Sequence, residues 1–164
     1  MSTLSVDTIQ GKTTAGTVAM PAGMIMQLVT NTYSTPVAFS DGGAYADSGL
    51  TCQITPKFST SKIFITVSQH FKLHHATADA GVGWKIFRDS TNVKSSAVNY
   101  AHYIYQEGSD AVDFRGWQNW NYLDSPSTTN QITYKTQISK YGGGTAIAQD
   151  NNNSSTMTLM ELKQ

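Results

Sequence analysis

The chain has 164 residues, of which 13% are Asp, Glu, Lys or Arg, and eleven acidic and eleven basic residues cancel to a formal net charge of zero. That balance leaves no basic patch to hold phosphates, which argues against a nucleic-acid partner. The longest apolar run, Met24 to Met26 with Leu28 and Val29, is far shorter than the roughly 20 residues of a membrane helix.

An average soluble domain carries roughly 25% charged residues. Here Ser, Thr, Asn, Gln and Gly stand in for the missing charge. A neutral polar surface of this kind suits a protein surrounded by copies of itself or by other proteins, and equally one that binds neutral ligands such as glycans. The length suits one domain with a sizeable core. The N-terminus has no basic segment followed by an apolar core, so a secretory signal is not expected and synthesis in a cytoplasm is. The single cysteine, Cys52, excludes an intrachain disulfide. Its setting in Leu50 to Ile54 predicts a buried structural thiol.

Residues 1–22 differ in character from the rest of the chain. Leu4, Val6 and Ile9 are apolar points in a polar, Thr/Gly-rich segment that cannot bury enough surface to fold alone. It is either a frayed terminus or an arm that orders on a partner by docking Leu4, Val6 and Ile9. Residues 23–164 form the expected domain. Gly23 to Val29 reads as a strand, and residues 30–48 as a long loop with a short strand near Val37 to Phe39. Leu50 to Ile54 is the next strand, ended by Pro56.

Lys62 to His75 is the longest alternating segment. Ile63, Ile65, Val67, Phe71 and Leu73 share one face, interrupted by Gln69; Phe64, Thr66, Ser68, His70, Lys72 and His74 share the other. This is the pattern of a strand buried on one side. Val82, Trp84 and Ile86 begin another strand, followed by a turn at Arg88 to Asn92. Val93 to Tyr105 reads as one strand and Glu107 to Asp110 as an acidic turn. Phe114 to Leu123, Gln131 to Lys140 and Thr156 to Leu162 complete the set. Between them, Asp124 to Ser127 supply turn chemistry, with Asp124 and Ser125 expected to bond nearby backbone amides. Gly142 to Gly144 and Asp150 to Asn153 read as loops, the first as a mobile hairpin. Eight or nine evenly spaced strands, without a helical stretch or a repeat of fixed period, predict an all-β protein: an antiparallel β-sandwich of the jelly-roll kind.

No arrangement of residues announces chemistry. His70 and His74 would point the same way along a strand but stand about 13 Å apart, too far for one ion. His74 and His75 point to opposite faces, so the four histidines, His102 included, make no ready site. One histidine from each subunit on a three-fold axis stays open as a route to a metal site. Asp110 and Asp113, in or beside a turn, are expected to be solvated rather than to act as an acid–base pair. No catalytic residue, cofactor or metal ligand is assigned. The densest aromatic region holds Tyr100, Tyr103, Tyr105, Phe114, Trp117, Trp120 and Tyr122, of which Tyr100, Tyr103, Trp117, Trp120 and Tyr122 are the contact candidates. Trp117 and Trp120 fall on opposite faces of a regular strand. Exposed Trp and Tyr beside Gln118, Asn119 and Asn121 would suit a subunit interface or sugar binding, and the monomer's own core is the third place for these rings.

Four stretches together resemble a family. They are Ser5 to Gly11 followed by Met20-Pro21-Ala22-Gly23; LTCQITPKFSTSKIFI from Leu50 to Ile65; YLDSPSTTNQITYKTQ from Tyr122 to Gln137; and TMTLMEL from Thr156 to Leu162. Their order is similar to that in short virion proteins of tailed phages, marine ones especially, whose domains look like the C1q/tumour-necrosis-factor type of jelly roll. The resemblance implies a homotrimer on a phage particle, made in the host cytoplasm, with residues 1–22 as an anchor to a capsid or tail protein. It fits a head decoration, a head fibre or a tail-fibre tip. It identifies no catalytic residue. Residues 69–114 match least, where recognition of a host would be expected to vary. A host-glycan-binding module is the second reading, with Trp117 or Trp120 stacking on sugar, and a glycan-degrading enzyme the third.

Overall fold

The structure, a computed structural model, describes residues 21–39, 42–75, 79–97, 100–105 and 111–164. The N-terminal points Leu4, Val6 and Ile9 and the turn at Glu107 to Asp110 lie outside them. The described residues contain eleven strands: β1 (Ile25–Tyr33), β2 (Val37–Phe39), β3 (Ala46–Ile54), β4 (Lys62–His75), β5 (Ala80–Arg88), β6 (Thr91–Ser95), β7 (His102–Ile104), β8 (Val112–Asp124), β9 (Ile132–Gly142), β10 (Thr145–Ala148) and β11 (Ser155–Leu162). One 3₁₀ turn, Asp150–Asn152, is the sole helical element among them.

Two antiparallel sheets face each other. In the first, β4 pairs along its whole length with β8, and on its other edge with β11 and then β10; β1 flanks β11 and β2 flanks β10. In the second, the order is β3-β9-β5, with β6 and β7 sharing the far edge of β5. The chain crosses between sheets after β2, β3, β4, β7, β8 and β9, the Greek-key winding of a jelly roll. The expected fold class is therefore the observed one.

Alternation builds this core directly. Ile63, Ile65, Val67, Phe71 and Leu73 of β4 are buried, as are Ile132, Tyr134 and Ile138 of β9 and Met157 and Leu159 of β11. The buried apolar residues form two clusters. One centres on Leu50, Ile65, Tyr134 and Leu159, the other on Phe71, Trp84, Ile138 and Ala148. Between them lies a polar belt. Gln69, which interrupts the apolar face of β4, is fully buried in it. Oriented to suit its neighbours, the Gln149 amide accepts from Gln69 Nε2 at 2.8 Å and donates to the Ser48 carbonyl at 3.1 Å. Ser48 and Thr136 share a hydroxyl–hydroxyl bond of 2.5 Å, and Ser155 Oγ accepts from the His70 amide at 3.0 Å. Buried hydrogen bonds of this kind fix register, because a slipped strand would break them among apolar side chains.

Several expectations are corrected. Residues 30–48 are not a long loop: β1 runs on to Tyr33 and β3 starts at Ala46. Thr30, Asn31 and Thr32 show no apolar periodicity, but an edge strand needs only its backbone partners, here Thr158, Met157 and Thr156. In β3 the register shifts between Asp47 and Thr51, and Gly49 has φ 84 with the Tyr33 ring where a Cβ would stand. That bulge hides the alternation. Residues 93–105 form two strands, β6 and β7, which pair with opposite halves of β5. The preceding turn tightens to Asp89 and Ser90, Asp89 taking φ 51.

Gly142 and Gly144 are packed rather than free. A Cβ on Gly144 (φ 86) would lie 2.0 Å from the His74 carbonyl oxygen, and one on Gly142 (φ 79) 1.8 Å from that of Asp79. Gly144→Ala should therefore destabilise the fold by about 3 kcal/mol, from left-handed backbone strain plus overpacking. Gly23→Ala, at φ 84 but in open space, should cost only about 1 kcal/mol. Urea midpoints of the two variants measure the difference.

Candidate interaction surfaces

Directly opposite residues in antiparallel strands share a face, so the register lays out the outer face of the first sheet row by row. Leu28, Met160, Phe64 and Leu123 form one straight row across β1, β11, β4 and β8. Leu28 is 55% exposed and Leu123 43% exposed, with Ile25 also open beside them. Next come Thr30, Thr158, Thr66 and Asn121, then Thr32, Thr156, Ser68 and Asn119. None of these residues is charged. The β11, β4 and β8 members of these two rows floor a depression of about 440 Å³. Lys94 of the second sheet caps the edge of β8: its Nζ donates to the Asn121 carbonyl at 2.9 Å and lies 5.2 Å from the Trp120 ring. A lysine there discourages uncontrolled strand pairing.

Lys62, paired with Leu162, brings one charge beside the apolar row, and a cluster of charges stands at the far end of this face. Asp113 sits on β8, not in a turn, and meets Lys72 at 3.1 Å, His74 at 2.6 Å and Arg115 at 3.3 Å. Bonds from Lys72 and His74 hold its carboxyl below the usual range. Arg115 also reaches Asp150 at 2.9 Å. His70 shares the outward face but is buried, with the exposed Trp117 ring 5.2 Å away edge-on. Burial pushes its pKa down. His75 faces the core and is buried. His102 lies at the core margin, 4.6 Å from Phe71, its Nε2 bonded to Gln118 at 2.7 Å. Among the described residues no group of three His, Cys, Asp or Glu side chains could hold a metal ion. Cys52 is buried and its thiol pKa is raised by burial.

Asp124 departs from its expected role. It does not cap the turn. It ends β8 pointing inward, where its Oδ2 accepts from Arg88 Nη1 and from the Tyr134 hydroxyl, each at 2.7 Å. Burial, then the bond to Asp124, raise the Tyr134 pKa far above the ordinary phenol value. Glu161 is a second buried carboxylate, fully enclosed. It accepts from Gln27 Nε2 at 2.6 Å and from the Lys57 and Phe58 amides at 2.8 and 3.3 Å. Burial pushes its pKa up, but hydrogen bonding prevails and the net value lies below that of an ordinary glutamate. This stabilisation is therefore complete above the ordinary glutamate range and is lost as pH falls through the folded-state value. Glu161→Gln should cost about 2 kcal/mol at pH 7 and much less at pH 3, a convergence that paired urea titrations would register.

The aromatic candidates separate into three places. Trp117 points outward from β8. Trp120 and Tyr122 point inward and pack on the core. Tyr100 and Tyr103 lie on the opposite sheet, where they gather with Tyr141, a residue that sequence reading passed over because it follows a strand's polar end. Tyr103 of β7 and Tyr141 of β9 flank Gly81 of β5 in register. Ring centroids are 5.1 Å apart for Tyr100–Tyr103 and 6.4 Å for each pair with Tyr141. Elsewhere that sheet's outer face carries ordinary solvent-side pairs, such as Lys135 with Asp47 at 2.8 Å.

The sequence matches no protein-family model, and no curated protein matches it. Among solved structures the chain is similar to that of infectious bursal disease virus strain Gx, at 12% identity and TM-score 0.44, over 96% of this chain and 45% of that one. It is also similar to the VP2 subviral particle of the same virus, at 11% identity and TM-score 0.46, over 85% and 34%. The T13 particle gives 11% identity and TM-score 0.46, over 99% and 40%. The chain thus spans less than half of each of these proteins. The fold assignment rests on the strand pairing itself.

Proposed function

We propose that this protein is a non-enzymatic structural component of a tailed-phage virion, a homotrimeric surface appendage assembled through the outer face of its first sheet. The observation that carries self-association is the apolar row Leu28-Met160-Phe64-Leu123 with the two uncharged rows beside it on the outer face. An exposed apolar row bordered by small polar residues has the make-up of an interface between copies. The three-fold number and the virion setting come from the sequence resemblance. The matching stretches fall on framework: Leu50 to Ile65 spans β3 into β4, Tyr122 to Gln137 spans β8 into β9, and Thr156 to Leu162 lies within β11. Residues 1–22 would attach the domain to a capsid or tail protein, either as a head decoration or as a fibre tip.

Native mass measurement of the full chain at micromolar concentration tests the assembly, with three chains expected. A stable monomer or a face-to-face dimer would overturn the trimer. Deleting residues 1–22 should leave thermal unfolding of the domain within about 0.5 kcal/mol yet abolish incorporation into particles; normal incorporation would refute the anchor.

A further inference from the structure

We propose that Tyr100, Tyr103 and Tyr141 form a binding platform for a neutral saccharide, on the sheet opposite the self-association face. This deepens the glycan-recognition reading and depends on neither the trimer nor the virion setting. The three rings are exposed by 61%, 37% and 42%. All three lie within about 30° of parallel. An aromatic cage for a quaternary ammonium needs rings wrapped around the cation. Near-parallel rings, with Tyr103 stacked on both Tyr100 and Tyr141, instead leave flat ring faces open at the outside of the cluster. A pyranose ring matches such a face, with an apolar C–H side to lie on it and a rim of hydroxyls for polar neighbours.

The polar neighbour is in place. The Asp79 carboxylate accepts from the Tyr103 hydroxyl at 2.6 Å, which orients both groups, and a carboxylate can accept from several donors at once, sugar hydroxyls among them. That bond, with lesser help from burial, raises the Tyr103 pKa to about 12, so the phenol stays neutral. Gly81, between Tyr103 and Tyr141 in the register, adds no side chain to interrupt the row. The carboxylate disfavours acidic sugars and phosphate-bearing ligands. It also explains why stacking here does not imply a nucleic acid, whose backbone requires positive partners. Trp117, also exposed, stands beside His70 on the far sheet and is not part of this platform.

The test applies the full chain to an immobilised panel of neutral and acidic oligosaccharides, followed by saturation-transfer NMR with the best neutral binder. Binding is expected to a subset of the neutral members. Tyr100→Ala and Tyr141→Ala, both at exposed positions, should weaken it tenfold or more with unfolding midpoints and native mass unchanged. Tyr103→Phe, which removes only the hydroxyl bonded to Asp79, should weaken it less, and Trp117→Ala should change it less than threefold. A Leu28→Asp chain should keep the same single-site affinity, so loss of the trimer would not remove the site. Absence of binding to every neutral oligosaccharide, preference for acidic ones, or full binding by folded tyrosine variants would overturn the proposal. A changed native mass in Tyr100→Ala would do so as well, assigning the cluster to a contact between copies.

Discussion

Leu28→Asp is expected to leave the protein folded and separate it into single chains. Leu28 is more than half exposed on β1, so the monomer loses almost no buried surface and its unfolding free energy should move by no more than about 0.5 kcal/mol. In the assembly the same position heads the apolar row that continues through Met160 and Phe64 to Leu123. An aspartate there would carry an unpaired carboxylate into a desolvated contact. Several kcal/mol of such cost shift association by about 100-fold or more. Sedimentation across a concentration series should show trimers for the parent and monomers for the variant. Asn92→Asp, exposed on β6 of the other sheet, should keep the parent's mass; equal dissociation by both would point to net charge rather than to this face.

Asp124→Asn should be the most damaging single change at a buried polar group. Asp124 is the acceptor for both the Arg88 guanidinium and the Tyr134 hydroxyl. The variant leaves Arg88 without its counter-charge at the boundary between β5 and β8, while its amide can still accept one bond. Breaking a buried pair on one side costs about 3–5 kcal/mol, and partial exposure of Arg88 brings the expected loss to about 3 kcal/mol. In a domain of this size that lowers the melting temperature by about 10 °C. Tyr134→Phe, which removes one neutral donor, should cost about 1 kcal/mol. Measuring both in the monomeric Leu28→Asp background keeps unfolding separate from dissociation. An Asp124→Asn chain as stable as its parent would mean that the pair is held no better than an exposed one.

The fold was legible where burial enforces period two. β4, β9 and β11 each have one face against the core, and their alternation gave class and position together. It was illegible where backbone pairing alone makes the strand, as in the Thr30 to Thr32 part of β1, or where a bulge resets the phase, as near Gly49. The interaction surface was hidden for a different reason. Leu28, Met160, Phe64 and Leu123 are scattered along the chain, and only the register aligns them. Asp124 was misread because Asp before Ser-Pro is a strong turn signal, while the partners that draw it inward, Arg88 and Tyr134, lie on other strands. The opposed faces of Trp117 and Trp120 followed from parity alone; which of them was buried did not.

The polar belt through Gln69, Ser48, Thr136, Gln149 and Ser155 also acts as a bulkhead. On one side stand the Leu50 and Tyr134 cluster, the Asp124 pair and the apolar row; on the other stand the Trp84 cluster and, outside it, the three tyrosines. Away from Trp120, which packs on both clusters, repacking in one compartment has to pass through hydrogen bonds of fixed length and direction before it reaches the other. Substitutions on opposite sides should therefore combine additively. A lineage could then exchange the side chains around the tyrosine end, to follow a changing target, without disturbing the end through which the chains meet one another.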